Sequence, residues 1–143
     1  MYRYSQTSID RLSTGCIQLQ ETFEHVIKIY DHTILQGYRG EDEQNHYFKT
    51  GKSKLRYPES KHNQQPSLAI DAAPWPIDWD DLNRFYYFGG LVQGVGLILG
   101  HRIRWGGDWD MDGDFRDQRF MDLVHFEYVG GVPSALQPKT LQV

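Results

Sequence analysis

Two histidines and two aspartates stand out among the residues able to do chemistry. His62 lies in Ser60-Lys-His62-Asn63, and Asp71 follows nine positions later in the run Leu68-Ala-Ile-Asp-Ala-Ala73. An aspartate among Ala69, Ile70, Ala72 and Ala73 is costly to bury unless it is paired or bound to a cation. His125 lies in Asp122-Leu-Val-His125-Phe-Glu127, a second apolar run that carries ionisable groups. Two histidines and one carboxylate make a three-ligand zinc set that leaves a fourth position for water. Asp122, three residues before the second histidine, is placed to act on that water as general base. Glu127 shares a strand face with His125 by alternation, which makes it a salt-bridging support for the histidine or a substitute base.

The other histidines read differently. His25, His46 and His101 fall within or beside helical segments and His32 opens a strand, so these four read as structural or solvent-facing. The one cysteine, Cys16, cannot form an internal disulfide and lies far from the histidine motifs, which argues against a cysteine-rich structural zinc.

A second cluster is Asp108-Trp-Asp110-Met-Asp112-Gly113-Asp114, with Asp117 close behind. Asp-x-Asp-x-Asp-Gly is the first half of a calcium loop, in which alternating carboxylates and a turn glycine wrap a hard cation. The second half fails, because Arg119 stands where a bidentate glutamate belongs. Two readings stay open: a solvated acidic turn, or a Ca2+ site that orders the approach to Asp122.

The elements that must position these residues follow from periodicity. Leu19, Phe23, Val26, Ile27 and Tyr30 give one apolar face and predict a helix from about residue 17 to 30. A short helix capped by Thr7 or Ser8 precedes it. Residues 32–39 read as a strand, and 41–50 as a helix closed by Gly51. Residues 52–67 are polar, carry Pro58 and Pro66, and read as a loop. Residues 68–73 predict a strand ended by Pro74 and Pro76. A long helix capped by Asp78 or Asp80 then runs to about Leu99, its Gly94-Val-Gly96 serving close packing against a sheet. Strands at 103–105 and 123–129 complete an α+β fold, a small antiparallel sheet packed with helices.

The motifs together resemble the M15 family of zinc peptidases, above all its phage-type branch, the L-alanyl-D-glutamate and D-alanyl-D-alanine peptidases of peptidoglycan stem peptides. The stretches carrying the likeness are Gly37-Tyr-Arg39-Gly-Glu-Asp-Glu-Gln44, Gly51-Lys-Ser-Lys-Leu-Arg-Tyr-Pro58-Glu-Ser60-Lys-His62-Asn63 and Asp122-x-x-His125-Phe-Glu127. They occur in the family's order over about residues 19 to 129. The resemblance implies that His62, Asp71 and His125 bind zinc and that Asp122 is the catalytic carboxylate. It also implies that Arg39 stabilises the oxyanion or binds a substrate carboxylate, and that Ser60 and Gln44 lie at the substrate cleft. The interval between His62 and Asp71 is two residues longer than the commoner family pattern, with Gln65-Pro66-Ser67 in place of a glycine.

Length and composition agree with such an enzyme. The chain has 143 residues, 39% of them hydrophobic, with 9 Tyr, 7 Phe and 4 Trp, enough for one domain with its own core. We expect a single peptidase domain over 1–143, with its core at about 17–130, a short N-terminal helix and a flexible C-terminal tail. A net charge of −4 argues against a nucleic-acid partner. The longest apolar stretch, Leu91 to Leu99, is too short for a bilayer. Arg3, Asp10 and Arg11 precede any apolar run, so no signal peptide is expected. The expected protein is a monomer made in the cytoplasm. It reaches the wall through a phage-made membrane lesion or is carried by a virion.

Overall fold

The chain builds one four-stranded antiparallel sheet, in the order β1-β2-β4-β3, with helices against one face. The computed structural model describes residues 1–131; the expected C-terminal tail lies outside the described residues. The elements are α1 (Gln6–Leu12), α2 (Ile17–Val26), β1 (His32–Gln36), α3 (Glu41–Lys49), β2 (Ala69–Pro74), α4 (Leu82–Ile98), β3 (His101–Gly106) and β4 (Asp122–Gly131). Single 3-10 turns occur at Lys61–Asn63 and Phe115–Asp117. This is the α+β class expected from the sequence. No helix among the described residues is long and apolar enough to cross a membrane.

Leu19, Phe23 and Val26 of α2 and Phe88 and Val92 of α4 bury the apolar face of the sheet. Alternation along the strands gives that face Ile34, Ile70, Ala72, Ile103, Trp105 and Phe126. The helix glycines divide by face. A Cβ on Gly96 would lie 2.7 Å from Ile103, and one on Gly89 2.4 Å from Trp105, so both are needed for α4 to approach β3. Gly94, expected to share that role, faces open space.

The opposite face of the sheet is polar. Asp71 of β2, His125 and Glu127 of β4 and Arg104 of β3 all project there by the same alternation. Asp71 pairs with His125, and Arg104 with Glu127, across the strands. A bulge between Ile34 and Gln36 brings Gln36 opposite Asp71 and onto this face.

Several expected boundaries shift for identifiable reasons. Helix α2 ends at Val26 rather than Tyr30, because Lys28 and Ile29 donate to carbonyls three residues back and tighten the chain into a turn. Ser5, not Thr7 or Ser8, caps α1, its Oγ accepting from the Ser8 amide. Ser8 is instead buried, its hydroxyl accepting from the Ile34 amide of β1. Helix α4 starts after Asp81, while Asp78 closes a turn by accepting from the Asp80 amide. The polar segment 52–67 includes the ordered turn at Lys61–Asn63.

Candidate metal centre and active site

His62, Asp71 and His125 converge at the floor of a cleft of about 1210 Å³. Asp71 Oδ1 lies 3.0 Å from His62 Nε2 and 3.3 Å from His125 Nδ1. One donor atom from each residue falls within 4.8 Å of the others. The two extra residues between His62 and Asp71 do not disturb this. Gln64, Gln65 and Pro66 loop outward and are exposed, while Ser67 returns to the core.

Each imidazole is held from behind. His62 sits on the 3-10 turn capped by Ser60, and its Nδ1 donates to the Gly37 carbonyl at 2.7 Å. Gly37 must be glycine, since a Cβ there would lie 2.1 Å from Thr14 Oγ1 and 2.4 Å from the Arg11 carbonyl. His125 Nε2 donates to Glu127 Oε1 at 2.8 Å, and Glu127 Oε2 accepts from Arg104 at 2.7 Å. With both outer nitrogens protonated, the inner nitrogens present lone pairs to the Asp71 carboxylate. Three electron-rich atoms facing one another require a cation between them, so the donor set fits a metal such as zinc.

The titration behaviour has the same origin. Burial works against the Asp71 charge, but His62 and His125 outweigh it and hold the carboxyl far below its usual range. Burial likewise works against a charged His125, yet Asp71 and Glu127 outweigh it and push the imidazole up to about 9. Asp122, at the start of β4, lines the same cleft. Burial first, and then the Asp71 charge, push its carboxyl above the ordinary value. A Cβ on Gly106 would meet the Asp122 carbonyl at 2.1 Å, so the bulge that sets Asp122 at the cleft needs a bare backbone there.

The remaining expected site residues are placed as follows. Arg39 lines the cleft, with Nη2 3.6 Å from Asp71 Oδ2, but it is 7% exposed. Its Nε and Nη2 donate to Gln36 Oε1, and its Nη1 donates to Gln44 Oε1. Ser60 lines the cleft. Gln44 does not. It is fully buried, with its carbonyl oxygen on Arg39 and Asn63 and its amide on Ser53 and Leu55, so it braces the arginine from behind.

In the acidic loop, Asp108, Asp110 and Asp112 bring carboxylate oxygens within 4.8 Å of one another. Asp108 also accepts from the Gly113 amide at 2.9 Å. Asp114, expected with them, turns to a bidentate pair with Arg116 instead. Two cleft residues were missed from the sequence. Arg104 and Trp109 flank His125, with the Trp109 ring centroid 5.4 Å from that of the imidazole.

Comparison with known proteins agrees with this geometry. Residues 1–129 match the family described as phage L-alanyl-D-glutamate peptidase. The chain is 32% identical to the L-alanyl-D-glutamate peptidase of Escherichia phage T5 over 122 residues, covering 82% of this chain and 88% of that protein. Its fold resembles that of the Serratia marcescens L-Ala D-Glu endopeptidase ChiX, with a TM-score of 0.70 at 17% identity over 89% of this chain and 90% of that one. The LdcB LD-carboxypeptidase is a more distant structural relative, with a TM-score of 0.54 at 20% identity over 81% of this chain and 59% of that one. The chain belongs to the phage L-alanyl-D-glutamate peptidase family.

Proposed function

We propose that this protein is a zinc-dependent endopeptidase that hydrolyses the L-Ala–D-Glu bond of peptidoglycan stem peptides, acting as a monomeric wall-lysis enzyme. The observation that carries the reading is the convergence of two inward-facing imidazole nitrogens on the Asp71 carboxylate, in a cleft of a chain of this family. His62, Asp71 and His125 would hold the ion, and zinc there supplies Lewis-acid activation of a water nucleophile near neutral pH. Asp122 would act as general base toward the attacking water and pass its proton to the leaving amine, a role suited to a carboxyl whose pKa is raised. Arg39, braced by Gln36 and Gln44, holds fixed positive charge beside the reacting centre, where charge develops on the carbonyl oxygen. Glu127 orients His125.

Mass spectrometry of purified murein digested with and without chelator tests this reading. Release of peptides with new N-terminal D-Glu, abolished by chelator and restored by zinc, is the expected result. Loss of terminal D-Ala alone would make the protein a D-alanyl-D-alanine carboxypeptidase. Zinc-loaded protein that binds murein without releasing peptide would make it an inactive wall-binding module.

The convergence of Asp108, Asp110 and Asp112 extends the reading to a Ca2+ ion in the loop that leads to Asp122. Calorimetric titration of calcium into the zinc-loaded protein, alongside activity, should give heat and a faster rate. No heat and no change of rate up to millimolar calcium would leave the loop an acidic turn.

A further inference from the structure

The substrate on this reading carries a charge that the braced arginine is poorly placed to meet. In an L-Ala–D-Glu bond the stem continues through the γ-carboxyl of glutamate, so its α-carboxylate stands free beside the scissile nitrogen. Arg39 has its Nη2 3.6 Å from Asp71 Oδ2. All three of its nitrogens already donate, to Gln36 and Gln44, and its side chain is only 8% exposed.

Arg104 differs on each count. It lies on β3 directly across from Glu127, on the polar face of the sheet, and lines the same cleft. Its side chain is 36% exposed. Its hydrogen bond to Glu127 uses Nη2, while its buried Nε has no hydrogen-bond partner among the described residues. The buried Nε is out of a ligand's reach, but Nη1 makes no hydrogen bond among the described residues, so the guanidinium is anchored at Nη2 and keeps Nη1 to give. Its rear is fixed through Glu127 to His125, which sets its distance from the metal centre. The Trp109 ring, 6.0 Å from the guanidinium carbon, forms a wall beside it. A planar fork with unused donors, one strand from a metal ligand, matches a carboxylate better than the cleft lysines Lys52, Lys54 and Lys61, whose charges sit on flexible stems.

We propose that Arg104 recognises the free α-carboxylate of the D-glutamate on the leaving side of the scissile bond, and so sets the specificity for glutamate over its α-amide. This rests on the peptidase reading above.

The test compares wild type and Arg104→Gln, each stripped with chelator and reloaded with zinc, on L-Ala-γ-D-Glu-L-Lys and on the same peptide with the α-carboxyl amidated. Wild type should favour the acid. Arg104→Gln should raise KM for the acid by about 10–100-fold, as expected for a lost charge-assisted hydrogen bond, and leave the amide within about threefold. The preference should then collapse, with Arg104→Lys intermediate. Equal losses on acid and amide in Arg104→Gln would assign Arg104 to orienting Glu127 and overturn the proposal. Collapse of the preference in Arg39→Gln but not in Arg104→Gln would overturn it too. Calorimetry of the product γ-D-Glu-L-Lys needs no turnover. If wild type cleaves neither peptide, the peptidase reading fails, while tight binding of that dipeptide lost in Arg104→Gln still supports the proposal. Equal binding by the two proteins refutes it.

Discussion

Asp71 and His125 are direct partners across β2 and β4, with His125 Nδ1 3.3 Å from Asp71 Oδ1. Their neighbours Ile70 and Phe126 are also direct partners, on the buried face of the same two strands. One register therefore fixes both the core and the metal centre. A slip of β4 by a single residue would drive His125 toward the helices and Phe126 out of the core, so the hydrophobic pattern itself protects the site geometry.

His125→Ala tests the ligand set. The substitution leaves His62 and Asp71, and two ligands rarely hold zinc against solvent. Metal analysis should find about one zinc per chain in wild type and close to none in the variant, with the circular dichroism spectrum retained. One zinc per chain in the variant would show that the ligands lie elsewhere.

Gly37→Ala should damage stability and metal binding together. The added methyl meets the Arg11 carbonyl and the Thr14 hydroxyl, neither at the end of a long flexible side chain. Overpacking of this kind costs about 1–3 kcal/mol. The shifted Gly37 carbonyl also ceases to orient His62, so zinc should leave faster in a chelator competition. Unfolding in urea checks the first effect and the competition the second.

How far these features could be read from the sequence depended on how local their causes are. Asp71 stood out because a carboxylate in an alanine-rich strand demands a partner, and His125 and Glu127 because alternation puts them on one face. The brace on Arg39 was invisible: Gln44 sits in a charged helix, and nothing local tells a fully buried glutamine from an exposed one. Arg104, between Ile103 and Trp105, has the pattern of any half-buried strand, and its meaning appears only when Glu127 lies opposite. The helix starts failed for a related reason. Ser5, Thr7 and Ser8 are all competent caps, and the choice was made by the need of the Ile34 amide for the Ser8 hydroxyl.

His32 should make stability depend on pH outside the active site. It is 3% exposed, packed against Phe23 and Phe88, with Nδ1 donating to the Tyr30 carbonyl and Nε2 against the oxygen of the Tyr4 hydroxyl, which itself donates to the Phe23 carbonyl. Burial pushes its pKa down to about 4, partly opposed by the bond to Tyr30. Below about pH 6.5 the unfolded chain takes up a proton that the folded chain refuses. Stability should then fall as pH drops from about 6.5 to 4, by about 3 kcal/mol, and this contribution should level off below that. Urea unfolding in chelator across that window should show the loss in wild type and a shallower slope in His32→Gln. Equal slopes would mean that His32 is charged in the folded protein.

Asp122→Asn separates proton transfer from metal binding. The amide keeps the shape of the carboxyl and lies outside the trio of ligands, so zinc content and fold should be unchanged. It cannot accept a proton, and loss of a general base costs about 10²–10⁴-fold in rate. The fall should appear in kcat, with KM little altered, because the lost interaction belongs to the transition state. The raised pKa of the carboxyl comes from burial and from the Asp71 charge. Neutralising Asp71 would remove a metal ligand as well, so Asp122→Asn is the cleaner probe. Near-normal turnover by the zinc-loaded variant would move the base to another residue. Glu127 is the next candidate by position, and its carboxylate is already engaged by His125 and Arg104. Glu127→Gln should accordingly weaken zinc retention about 10–100-fold, as loss of a histidine's outer partner does, with a smaller effect on kcat once zinc is saturating.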